Sequence, residues 1–150
     1  MWTPNSHLLT TQLRPNWINL MTTELLYLTW VSVLCLLLWV PYIAGESLTF
    51  GSLTPNDYKV PPLRTRPTWI NRSHRSHLNL VENLPSFATL ILVAHVSNSN
   101  TMITSVAAMI FFWSRIAQTI IHFSGIPYLR TLLFLIGWIS QLVIAYEIVF

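Results

Sequence analysis

The sequence predicts an all-α protein that lies in a membrane as a bundle of about four spanning helices. Three observations point there. Charged residues make up 9% of the 150-residue chain, against roughly 25% in an ordinary soluble domain. Hydrophobic residues reach 53%, and the charge deficit together with a positive mean hydropathy places the chain in the membrane class. The apolar residues also fall in runs of spanning length, separated by clusters of proline, glycine or asparagine. The length leaves room for one compact unit and no separate soluble domain.

Residues 1–20 read as a polar extension containing Pro4 and Pro15, without the charged start and small-residue cleavage site of a secretory signal. Met21 opens Met-Thr-Thr-Glu-Leu-Leu directly before the first apolar run, so Met21 is an alternative point of initiation. The expected domain is 21–150. Residues 25–45 carry no charge and are long enough for the ~30 Å hydrocarbon layer. Tyr27, Trp30, Trp39 and Tyr42 sit toward the ends of this span, as interfacial aromatics do, and Pro41 lies near its close.

The stretch 46–71 holds Gly51, Pro55, Pro61, Pro62 and Pro67, which predicts an irregular loop. No Asp, Glu, Lys or Arg occurs from Asn83 to Ser114, too long a run for one ordinary span. Ser97-Asn98-Ser99-Asn100 divides it as a polar turn. The second span is therefore expected over about 73–96 and the third over about 101–123. Ser124-Gly125-Ile126-Pro127 closes the third, with Gly suited to a C-cap and Pro to the first turn of a helix. The fourth span follows over about 127–149. Short turns make the last three spans antiparallel neighbours.

Lys59 and four of the seven arginines fall between positions 59 and 75. Cations so confined are a topological signal, and they exclude a nucleic-acid face, which needs basic residues spread over a soluble surface. The positive-inside rule puts loop 46–71 and the 124–127 turn in the cytoplasm and both termini on the opposite side.

The informative residues are polar groups inside spans. Arg75, Asn79 and Glu82 fall within an arc of about 60° on the second span. Arg115, Gln118 and His122 share one face of the third, and Arg130 opens the fourth. A charge at the centre of a span costs roughly 2.5–3.5 kcal/mol, so these groups need partners. Glu82 can pair with Arg115 across helices. That pair reads equally as a brace for the bundle and as part of a site. Arg75, Arg115 and Arg130 against one carboxylate make a net-positive pocket suited to an anionic ligand. His74 and His77 lack a third ligand, so no metal site is expected. His95 sits by the polar turn as an interfacial histidine. Cys35 lies in an apolar run, expected as an inert buried thiol. No phosphate-binding glycine loop, nucleophile elbow or HExxH occurs.

Arg75-Ser76-His77-Leu78-Asn79-Leu80-Val81-Glu82-Asn83-Leu84-Pro85-Ser86-Phe87 resembles the second-helix signature of the MAPEG family, the membrane-associated proteins of eicosanoid and glutathione metabolism. Ser114-Arg115-Ile116-Ala117 followed by Gly125-Ile126-Pro127-Tyr128-Leu129-Arg130-Thr131 resembles that family's third- and fourth-helix segment. The likeness runs from about Met21 to the C-terminus and is to the plain, bacterial-looking members.

The resemblance implies a homotrimer of four-helix protomers. It implies glutathione bound as cosubstrate between protomers near the cytoplasmic face, and lipophilic substrates arriving from the bilayer. Asn79 and Glu82 match glutathione-contacting positions of the prostaglandin synthase branch. Arg130 matches the arginine credited with stabilising the thiolate, and Thr131 stands where that branch has serine. Leu78 stands in place of an arginine, Gln118 of a histidine, and His122 and Phe134 of tyrosines. The expected function is thus a glutathione-dependent transferase or peroxidase acting on lipophilic electrophiles, with Arg130 catalytic and Arg75, Asn79, Glu82, Arg115, Gln118, His122 and Thr131 binding glutathione. The alternative is a non-catalytic scaffold or lipid-binding member of the same fold. The family contains such a member, a lipoxygenase-activating protein.

Overall fold

A computed structural model describes residues 21–52, 54–59 and 65–150. The extension 1–20, with Pro61, Pro62 and Arg64 of the basic loop, lies outside the described residues. Among the described residues five helices follow in order: α1 (Thr23–Phe50), α2 (Pro55–Lys59), α3 (Thr68–Val96), α4 (Met102–Ser124) and α5 (Pro127–Val149). Four of them, all but α2, are long and apolar enough to cross a membrane.

Each long helix starts and stops for a local reason. Thr22 caps α1, its side chain accepting from the Leu25 N–H at 3.4 Å. Gly51, at φ 75°, ends it. Pro67 precedes α3 and excludes helical backbone before it. The turn after α3 places Asn98 at φ 53°, a conformation that asparagine tolerates, and Ser97 Oγ donates to the Val93 carbonyl at 2.7 Å. Thr101 and Thr104 form a reciprocal capping box on α4. Gly125, at φ 80°, closes α4, and Pro127 opens α5.

Three expectations need correction. The first span continues to Phe50 rather than 45, through Pro41 and past Glu46. Glu46 does not end the helix because Arg66 pairs with it at 2.5 Å, and the adjacent carboxylate holds the Arg66 guanidinium above its ordinary pKa. The second span begins at Thr68 rather than 73, one residue after Pro67. The loop between them is not wholly irregular: it contains α2, where Asp57 Oδ2 accepts from the Thr54 N–H and hydroxyl.

α1 packs on α3 and α4, α3 on α4 and α5, and α4 on α5. The core is Val31 and Leu38 of α1, Leu80, Phe87 and Ile91 of α3, Ala107, Ala108 and Phe111 of α4, and Ile144 of α5. Phe87 and Phe111 stack at its centre, ring centroids 4.0 Å apart. Ala107 and Ala108 let neighbouring backbones approach, as small residues do between spanning helices. Outward positions such as Leu36, Leu37, Val40 and Ile120 are exposed and apolar, which suits a lipid surround.

The two ends of the bundle differ in charge. At the end holding Met21 and Phe150, buried Glu24 accepts from Thr104 Oγ1 at 2.6 Å and Ser105 Oγ at 2.8 Å. Glu147 accepts there from Thr101 Oγ1 at 2.9 Å. The starts of α1 and α4 and the end of α5 are thereby joined. The opposite end carries Arg66, Arg72, Arg75 and Arg130, and there His74 stacks on Tyr42, ring centroids 4.2 Å apart.

Candidate functional site

A cavity of about 460 Å³ opens between α3, α4 and α5 at the basic end. Its lining is Arg75, Leu78, Asn79 and Glu82 of α3, Gln118 and His122 of α4, and Arg130, Thr131 and Phe134 of α5. Helical spacing explains the grouping. Arg75, Leu78, Asn79 and Glu82 recur every three or four residues and so form one stripe. Gln118 and His122 are one turn apart and face inward, both under a tenth exposed. Gly125 and Pro127 set the turn that brings Arg130 and Thr131 back over them.

Of the eight residues expected at a site, seven line this cavity: Arg75, Asn79, Glu82, Gln118, His122, Arg130 and Thr131. Arg115 does not. It lies in the core behind the cavity wall, 2% exposed. Its Nη1 donates to Asn79 Oδ1 at 3.3 Å and its Nη2 to the Phe134 carbonyl at 3.1 Å. The rings of Phe111 and Phe134 flank its guanidinium, at 5.0 and 5.4 Å from their centroids. The expected Arg115–Glu82 pair is therefore corrected: Arg115 turns inward to Asn79, and Glu82 is exposed on the protomer surface without a hydrogen-bonded partner among the described residues. Periodicity places a residue on a face but does not say which neighbour stands opposite.

Gly137 makes the Arg115 position feasible. A Cβ there would overlap the guanidinium. A glycine inside an apolar span is the one sequence signal for so close an approach. Asn79 is fixed by the same contact. With Oδ1 engaged by Arg115, its amide nitrogen is the group left for the cavity. The cavity therefore offers donors from Arg75, Asn79 and Arg130, one carboxylate from Glu82, and apolar walls from Leu78 and Phe134.

A second cavity of about 420 Å³ adjoins the first through Arg75, His122 and Arg130, and adds Thr68, Asn71, Arg72, Ile121, Gly125 and Ile126. Arg72 Nη1 donates to the Phe123 carbonyl at 3.2 Å, capping the end of α4. Gly125 lets the Arg72 guanidinium lie flat on the turn, because a Cβ at 125 would come within 2.5 Å of it. In the sequence Arg72 is apparent only as a topological charge. A third, apolar groove lies between α4 and α5 beside Val106, Ile110, Ile139 and Val143 and shares no residue with either polar cavity.

The model of the MAPEG family matches residues 25–150. No curated protein matches the chain.

Proposed function

The chain belongs to the MAPEG family, and from that premise we propose that the cavity under Arg130 binds glutathione and uses its thiol against lipophilic electrophiles or hydroperoxides. The observation that carries the reading is the composition of one cavity. Two guanidiniums, an amide donor and a single carboxylate converge there. Glutathione carries two carboxylates, one ammonium and one thiol, so its charges and those of the lining are complementary. Glu82 is the partner for the ammonium. Arg75 and the Asn79 amide are donors for carboxylates, and Gln118 and Thr131 add neutral hydrogen-bonding groups.

Glutathione supplies a thiol nucleophile. A thiol is mostly protonated at neutral pH, and a guanidinium beside it favours the thiolate. Arg130 is the group proposed to do this. Arg115 holds Asn79 in one amide orientation and so keeps a donor aimed at the ligand. Phe134 and Leu78 provide the apolar wall against which a lipophilic second substrate would lie.

Two further features belong to this reading. Arg75, Leu78 and Glu82 are exposed on a single protomer although they lie on a spanning helix. Leaving Arg75 and Glu82 in lipid is costly, which supports a homotrimer in which neighbouring copies cover them. The contrast between Arg66 and Arg72 at one end and Glu24 and Glu147 at the other supports an orientation with the basic end in the cytoplasm.

Purified protein is expected to conjugate glutathione to a chlorodinitrobenzene-type electrophile, and Arg130→Ala is expected to abolish the reaction while glutathione still binds. One observation favours a second reading, a non-catalytic lipid-binding member. Leu78, 41% exposed at the cavity mouth, and Phe134 present no polar group to a tripeptide. On that reading the wild type neither binds nor conjugates glutathione, and Glu82→Ala disturbs assembly alone.

A further inference from the structure

The second cavity differs from the first in one respect: no carboxylate lines it. Arg72, Arg75 and Arg130 converge on it from α3 and α5. None of the five acidic residues of the chain lines it. Glu24 and Glu147 bind hydroxyls at the far end of the bundle. Glu46 is paired with Arg66, and Asp57 accepts from Thr54. Glu82 lines the first cavity. Three guanidiniums thus meet at one place without an internal counter-charge among the described residues, and only Arg72 has a hydrogen bond there, to a neutral carbonyl.

Depth narrows the choice of anion. Arg72 lies four residues into α3, about 6 Å along the axis from its start. The headgroup layer on each face of a bilayer is roughly 5–7 Å thick. The cavity is bounded by the first two turns of α3 and by the turn joining α4 to α5, the levels at which two spans end. Thr68 and Asn71 add neutral donors at its rim, and both are exposed. Ile121 of α4 and Ile126 of the α4–α5 turn form an apolar side, and Leu129 and Leu132, on the first turns of α5, are exposed. A cationic bowl with donors at the rim and an apolar flank leading into the hydrocarbon fits a phosphate attached to acyl chains.

We infer that the cavity lined by Arg72, Asn71, Thr68 and the outer sides of Arg75 and Arg130 binds the phosphate of an anionic bilayer phospholipid. Arginine suits the task, since its planar fork takes phosphate oxygens in pairs. The site is separate from the one proposed for glutathione, although two arginines border both. A bound lipid phosphate would neutralise the outer faces of Arg75 and Arg130. It would also hold the α4–α5 turn, which carries Arg130, at the membrane surface.

The test uses the full chain in detergent, with native mass spectrometry of retained lipid as the readout. Phosphatidic acid, phosphatidylglycerol and phosphatidylcholine are offered at equal concentration, and inorganic phosphate is titrated separately. Wild type is expected to retain the two anionic lipids at least about tenfold more than phosphatidylcholine, charged arginine contacts being the discriminating element. Because Arg72 also caps α4, a second variant is needed. The double change Thr68→Val with Asn71→Leu removes rim donors without touching the core. It is expected to reduce anionic-lipid retention several-fold and to leave glutathione affinity unchanged. Arg72→Gln should lose most of the retention, and Arg72→Lys, which keeps the charge but not the planar fork, should lose only part of it. Equal retention of all three lipids overturns the inference. So does inorganic phosphate binding as tightly as the lipids, since the acyl chains then contribute nothing. Failure of glutathione to bind would leave these outcomes unaffected and would count only against the other cavity.

Discussion

Replacing Gly137 by alanine tests the packing that supports the proposed site. The added Cβ would fall on the Arg115 guanidinium, with Cζ and Ser114 Oγ each 2.7 Å away. Arg115 must then move, and the group that moves is charged, buried and enclosed by Phe111 and Phe134. Losing its charge-assisted bond to the Phe134 carbonyl costs about 1.5–3 kcal/mol. Overpacking strain adds about 1–3 kcal/mol, while the better helix propensity of alanine returns about 1 kcal/mol. The net loss is about 1.5–5 kcal/mol, equivalent to a Tm lower by roughly 4–15 °C for a chain of this size. Differential scanning fluorimetry in detergent measures it. Gly45→Ala is the milder comparison: its Cβ meets the far end of the Trp69 ring, which is 47% exposed and free to swing outward, and beyond that only Ile70 Cγ1 at 3.0 Å, so it should lower Tm less than Gly137→Ala. A Gly137→Ala protein that melts within about 2 °C of wild type, inside the scatter of neutral substitutions, would show that Arg115 does not occupy this space.

Other expected outcomes follow from the same contacts. Phe87→Ala removes one of the two stacked core rings and should destabilise by about 3–5 kcal/mol, read from the same melt. Glu24→Ala leaves the Ser105 hydroxyl without its acceptor and Thr104 with only the Thr101 carbonyl, and should cost about 1–3 kcal/mol, whereas Glu24→Gln, which retains an acceptor oxygen, should cost less. Asn79→Leu strips Arg115 of its side-chain partner and the cavity of its amide donor. It should lower both Tm and glutathione affinity, where a purely structural role would lower Tm alone. A cysteine placed at Asn56, with Cys35 replaced, should react with an impermeant maleimide only from the cytoplasmic side, and a cysteine at Asn98 only from the other.

How much of this was legible in the sequence depended on the kind of signal. Four spans were visible because charge is absent from long runs and because Asn98 and Gly125 mark their turns. The limits of the first two spans were not, because Glu46 looks like a stop until its partner Arg66, twenty positions on, is known. The stripe Arg75–Asn79–Glu82 and the pair Gln118–His122 were readable from helical spacing, and the fold brings them to one cavity. The partner of Arg115 was not readable. Spacing gives a residue's face, but the relative rotation of two helices decides whether that face meets Glu82 or Asn79. Arg72 was misjudged for a related reason: its guanidinium is drawn inward by the Phe123 carbonyl and the space at Gly125, and neither is apparent from a basic loop.

The central claim is that the cavity under Arg130 holds glutathione, and calorimetric titration of glutathione into the detergent-purified wild type and Arg75→Ala proteins tests it most directly. Saturable one-to-one binding per site, weakened about tenfold or more by the loss of one guanidinium contact, is the expected result. No heat of binding to a folded wild type, or equal affinity of both proteins, would contradict it.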